Sequence, residues 1–218
     1  MPSLFNLTYY DPPPRLARCI LSLFHFSWDE RKISDRHPGA LAQLVLFPYG
    51  SGEITFGDRT DPVDGDAYLL AGFETASPFT MNGPWHAIGA SLSPQGWAAL
   101  TGRPVSDYVS RFIPASELLG EDINVFAAQL NEAYRNGSIS GEDACYELAS
   151  WIEKRLGDVP EEHEDLMEAT FAWLSTSLGP DVEELFAGLS YSRRQAERLV
   201  TRYFGLSPMA LARKYRAV

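Results

Sequence analysis

Ser192 and Gly205 bracket a run whose spacing admits little besides one short, two-faced helix. Ala196, Leu199, Val200 and Tyr203 recur at i, i+3, i+4 and i+7 and share a stripe, while Arg194, Glu197, Arg198 and Thr201 fall on the other side. Ser192 stands where a side-chain oxygen can accept from the first free backbone N–H groups. Gly205 follows Phe204 at the position where a left-handed residue ends a helix with least strain. Leu206, Ser207 and Pro208 then read as a new cap and a first-turn proline opening another helix. Upstream, residues 181–189 space Val182, Leu185, Phe186 and Leu189 for burial on a short helix. Short helix, tight turn, amphipathic helix is the pattern of a helix-turn-helix.

The same stretch is basic on an acidic chain. The net charge is −11; residues 190–218 hold seven Arg or Lys against the single Glu197, a net +6, so the residues before them carry −17. The positives are Arg193, Arg194, Arg198, Arg202, Arg213, Lys214 and Arg216. An acidic body repels a nucleic-acid duplex, so contact is expected only at the tail.

The sequence Ser192-Arg-Arg-Gln-Ala196-Glu-Arg-Leu-Val200-Thr-Arg-Tyr-Phe-Gly205-Leu-Ser-Pro208 resembles the first helix-turn-helix of AraC/XylS-type transcription regulators. It departs from that pattern at Ala196 and Val200, where the family usually has Leu and Phe. The resemblance implies double-stranded DNA as partner, with Arg194, Glu197 and Arg198 facing bases and Arg193, Gln195 and Arg202 reaching phosphates. It also implies a homodimer, and a front domain that binds a small effector or mediates dimerisation. The family carries a second unit after a linker helix. Here residues 209–218 read as the start of that linker, and the expectation is a truncated chain. In the front half, Asp11-Pro-Pro-Pro14, Tyr49-Gly-Ser-Gly52, Ile88-Gly-Ala-Ser-Leu-Ser-Pro94 and Trp97-Ala-Ala-Leu-Thr-Gly102 are similar to the amino-terminal domain of one AraC-type subgroup.

The fold class expected is α+β: a small β-barrel or sandwich-like domain over 1–115, a helical connector over 116–178, and the first helix-turn-helix with the start of the linker over 179–218. Residues 19–26, 44–48, 53–57, 67–73 and 85–92 read as strands, with Tyr49-Gly-Ser-Gly52 as a hairpin turn between the second and third. Pro94 opens a short helix. Later, Ile123, Phe126, Leu130 and Tyr134 form one helical stripe; Cys145, Leu148, Ile152 and Leu156 a second, behind a Ser140–Asp143 capping box; Met167, Phe171, Leu174 and Leu178 a third. These stripes serve either mutual packing or contact with a second copy.

Signals for catalysis are sparse. Among His25, His37, His86 and His163, none forms a ligand pair at metal-binding spacing. His25 and His86 lie on expected strands and could face a barrel interior with Glu53 or Glu74, which leaves a cupin-like binding or enzymatic barrel with a helical interaction tail as the alternative. Asp58, Asp61, Asp64 and Asp66 lack the order of a calcium loop. Cys19 and Cys145 lie far apart in apolar patterns and read as thiols. No enzyme activity, cofactor or metal is expected. With no secretion signal and no apolar run approaching roughly 20 residues, no membrane partner is expected and the location read is cytoplasmic. Phe24, Phe26, Phe47, Phe56, Trp85 and Ile88 are candidates to line an effector pocket.

Overall fold

A computed structural model describes residues 5–39, 41–73, 75–177 and 179–215. Glu74, Leu178 and Arg216, named above, lie outside them. The strands are β1 (Phe5–Tyr10), β2 (Ile20–Trp28), β3 (Lys32–His37), β4 (Ala42–Phe56), β5 (Arg59–Val63), β6 (Ala67–Leu70), β7 (Ser77–Leu92) and β8 (Phe112–Pro114). The helices are α1 (Pro94–Thr101), α2 (Ser116–Leu119), α3 (Asp122–Arg135), α4 (Gly141–Glu153), α5 (Glu161–Leu174), α6 (Val182–Ala187), α7 (Arg193–Phe204) and α8 (Pro208–Tyr215). The protein is thus α+β.

The long strands β4 and β7 pair along their lengths, from Ala42↔Leu92 to Ile54↔Phe79. The other edge of β7 takes β2 and then β3; the other edge of β4 takes β6 and then β5; β1 extends β2 and β8 extends β6. All pairs are antiparallel. The path from β1 to β8 does not close among the described residues, so the expected barrel is an open, curled sheet.

The expected hairpin at Tyr49-Gly-Ser-Gly52 is absent. β4 runs through those residues as one strand, and its register against β7 slips on both sides of Tyr49. Gly50 has φ +95, and a Cβ on Gly52 would come within 2.1 Å of the Thr80 carbonyl oxygen. Glycines that resemble a turn locally make a bulge here, which bends the strand without ending it.

Period-two alternation divides the sheet. Trp85, Ala87 and Ser91 face inward with Phe24, Val45, Phe47, Ile54, Phe79 and Phe112, whereas Ile88, Ala90 and Leu92 face outward. The outer face is covered by α3 on β4 and by α4 on β2 and β7. Ile123, Leu130, Cys145, Leu148 and Ile152 are buried there, so the first two stripes are used inside the chain. Ser140 caps α4, its hydroxyl oxygen accepting from the Asp143 N–H at 3.0 Å.

A separate core gathers α5 to α8. Leu166, Met167, Trp173 and Leu174 of α5 pack with Leu185 of α6, Leu199, Val200 and Tyr203 of α7, and Leu211 and Ala212 of α8. α7 also packs against α1 and the 3₁₀ turn Val105–Tyr108. Among the described residues, no helix is long and apolar enough to cross a membrane.

Candidate nucleic-acid interface and interior cavity

The ends of α7 are fixed by local chemistry. The Ser192 side-chain oxygen accepts from the Gln195 N–H at 3.4 Å, and the Gln195 side-chain oxygen accepts from the Ser192 N–H at 3.2 Å, a reciprocal capping box. At the other end Gly205 has φ +76, and a Cβ there would meet Val109 Cγ2 at 2.6 Å, so both backbone and neighbour demand glycine. Ala196 and Val200 are fully buried. The smaller residues let α7 lie close to its neighbours.

The outward residues divide by what they touch. The Arg193 guanidinium donates to both Glu183 carboxylate oxygens at 2.7 and 3.0 Å and to Glu197 at 3.4 Å, and it lies 4.8 Å from the Phe186 ring centroid. It therefore ties α7 to α6. Gln195 is engaged in the cap. Arg194, Arg198 and Arg202 are exposed, and among the described residues Arg194 and Arg198 make no ion pair or side-chain hydrogen bond. These side chains line a wide cleft whose far side is Pro104, Ser106 and Asp107.

Inside the sheet lies a cavity of about 400 Å³. Phe24, Phe26, Phe47 and Trp85 line it. Phe56 belongs to the same inner cluster but packs on Phe73, ring centroids 4.7 Å apart, and Ile88 faces the helices instead. Ile88 differs in parity from Trp85, so one strand cannot aim both at the same space. The wall also includes Phe5, Leu7 and Tyr9 of β1, an apolar alternation that marks a strand, and the polar residues Ser22, Gln43 and Ser91.

His37, Pro38 and Leu41 form part of the cavity rim. His37 Nδ1 accepts from the Gly39 N–H at 3.0 Å, and burial pushes the imidazole pKa down to about 4. The Gly39 carbonyl accepts from Lys214 Nζ of α8 at 3.1 Å, and Lys214 also donates to the Phe73 carbonyl. One loop therefore serves both the cavity rim and the carboxy-terminal helices.

The other histidines do not face the cavity. Tyr134 Oη of α3 sits 2.7 Å from His25 Nε2 and 2.9 Å from His86 Nδ1, and His86 Nε2 lies 2.9 Å from Asp29 Oδ1. Burial pushes the Tyr134 hydroxyl up to about 12; burial, then the neighbouring His86, lowers His25. Both histidines thus point out of the sheet toward α3, away from the interior considered for them, because their parity is opposite to that of Phe24 and Trp85. His163 Nδ1 meets Tyr203 Oη at 2.7 Å. Among the described residues no group of three or more His, Cys, Asp or Glu could hold a metal ion. In the acidic loop, Asp61 pairs with Arg59, Asp64 accepts from Tyr68, and Asp66 accepts from Asn131. Cys145 and Cys19 are free thiols; Cys145 is buried, which raises its pKa to about 12, and Cys19 is half-buried.

No protein-family model matches the chain, and no curated protein matches it. The chain is similar to a solved structure, the crystal structure of the AraC-like transcriptional activator CuxR, at 12% identity over 98% of this chain and 85% of that chain, with a TM-score of 0.34. At that level the likeness carries no argument about fold or site.

Proposed function

We propose that the chain is a DNA-binding transcription regulator of the AraC type, with α6 and α7 as its helix-turn-helix and the curled sheet as an effector-binding domain. One observation carries this reading. α7 is capped at both ends and packed along one side, and from the other side it presents Arg194 and Arg198 without partners among the described residues. Unpaired cations on a capped helix, in a chain of net charge −11, are arranged for a polyanion. Arg194 and Arg198 suit guanine O6 and N7, and Glu197 suits cytosine N4. Arg202 suits a phosphate, while Arg193 and Gln195 orient the helix through Glu183 and the cap.

The test is fluorescence anisotropy with promoter-derived and random duplexes over a salt series. Arg198→Ala is expected to cost about 1–3 kcal/mol and relax preference at one base pair, whereas Arg202→Ala weakens all duplexes alike and lowers the salt slope by about one. Binding that is independent of salt, or indifferent to loss of Arg194 and Arg198, removes the reading. A homodimer belongs to the same proposal. Because the α3 and α4 stripes are buried within the chain, the second copy must meet another surface. Light scattering at twice 24.3 kDa supports it, and 24.3 kDa at every concentration refutes it.

A further inference from the structure

The inner face of the sheet carries a polar tier that emerges only from strand pairing. Ser91 of β7 stands opposite Ser22 of β2 on one edge and opposite Gln43 of β4 on the other. Three uncharged polar side chains therefore lie side by side across three strands, and all three line the cavity. Ser91 is 3% exposed and Ser22 and Gln43 are partly exposed, and among the described residues none of the three side chains makes a hydrogen bond. A buried hydroxyl is seldom left unmatched in a folded protein, so Ser91 calls for a partner inside the cavity, and the partly exposed Ser22 and Gln43 border the same space.

Beyond that tier the lining is aromatic. The inward residues of β7 after Ser91 are Gly89 and Ala87, and the Phe24 ring lies so close over Gly89 that a Cβ there would meet it at 2.1 Å. Trp85 closes this end, its ring centroid 4.8 Å from Phe26 and 5.0 Å from Phe79. The Trp85 indole N–H is also buried and has no acceptor among the described residues. The charged lining residues Asp35 and Arg36 are exposed at the rim, so nothing in the tier neutralises a buried ionic group.

We infer that the cavity binds an uncharged, planar aromatic molecule that presents one hydroxyl or carbonyl group to Ser22, Gln43 and Ser91. A volume of about 400 Å³ falls within the range of small-molecule sites. The aromatic walls hold the ring system, and the polar tier selects for the hydrogen-bonding group and against a carboxylate. This inference names the ligand class for the effector-binding sheet of the proposed regulator and rests on that reading only for its biological role.

The probe is 2-naphthol, titrated into the full chain by calorimetry beside 2-naphthoate and 2-methylnaphthalene. The expected result is one site per chain, with 2-naphthol bound about tenfold or more tighter than either comparison compound. Gln43→Leu and Ser91→Ala should each reduce the preference for 2-naphthol over 2-methylnaphthalene and leave binding of the latter in place. Ala87→Leu, which adds atoms to the cavity, should abolish both. Absence of binding by 2-naphthol, tighter binding of 2-naphthoate, or a preference untouched by Gln43→Leu and Ser91→Ala overturns the inference. Measured without DNA, the result is separable from the anisotropy test: naphthol binding without DNA binding keeps the cavity and discards the regulator, and the reverse discards only the cavity.

Discussion

The interior of the sheet and the core of the carboxy-terminal helices draw on the same kinds of apolar residue and fill their space differently. Among the carboxy-terminal helices, Ala196 and Val200 are fully buried, and Val200 packs in one cluster with Leu199 and Tyr203. Inside the sheet, by contrast, large rings leave a cavity of about 400 Å³. Small residues act in opposite ways in the two places. Ala196 takes no exposed surface on its helix; Ala87 borders the open space between side chains of adjacent strands, while Gly89 makes room for the Phe24 ring. A small residue on a helix at an interface tends to close a gap, whereas small residues on the central strand of a curled sheet create one.

The largest effect expected from this comparison is set by His37 at the cavity rim. Its folded pKa is lowered by burial to about 4, from an ordinary value near 6.5. Between those values the unfolded chain binds the proton and the folded chain does not. The contribution is therefore fully present above about pH 6.5 and is lost as pH falls toward 4. Its size is about 3 kcal/mol. Urea unfolding of the full chain from pH 7 to pH 4 should show this loss, and His37→Phe should flatten the slope. Some slope remains, because His25 is lowered in the same sense. An unchanged slope in the variant would mean that the rim is open to water.

Much of the helical architecture was legible because its signals are local. Ser140, Ser192 and Gly205 cap through atoms within a few residues, and the stripes on α3, α4 and α7 follow from a fixed period. The sheet was less legible because its contacts are distant in sequence. β1, β3 and β5 have exposed faces and find their partners only in the fold. Gly50 and Gly52 carry the composition of a turn, and only the pairing of β4 with β7 makes them a bulge. The site divides the same way. Arg194 and Arg198 were readable on the outer side of α7, but the engagement of Arg193 by Glu183 depends on where α6 lies. Ile88 was misplaced against the parity of its own strand. Ser22, Gln43 and Ser91 gave no signal, being 69 residues apart at the extremes and adjacent only through register.

A pair of matched substitutions tests the contrast directly, and the helical core is expected to give the larger response. Ala196→Leu installs the residue usual in the resembled family at a position with no exposed surface. Added methylenes in a filled core force neighbours off their rotamers, and a loss of about 1–3 kcal/mol is expected. Thermal unfolding should register it as a lower midpoint. A neutral or stabilising outcome would show unfilled volume beside α7.

Ala87→Leu makes the same change of side chain on β7 and should have the smallest effect. Ala87 is buried, but it lines the cavity, so its added atoms enter space that other atoms do not fill. They remove apolar surface from water and gain contacts with the rings around them. These gains oppose the displacement of any water held by Ser22, Gln43 and Ser91, and the net change is expected within about 0.5 kcal/mol of zero. Measured in the same unfolding experiment as Ala196→Leu, the difference between the two variants reports how differently the two cores are filled. If Ala87→Leu costs as much as Ala196→Leu, the cavity closes in solution and the contrast between the two regions is lost. If it costs nothing and also abolishes 2-naphthol binding, the space that it fills is the space the ligand uses.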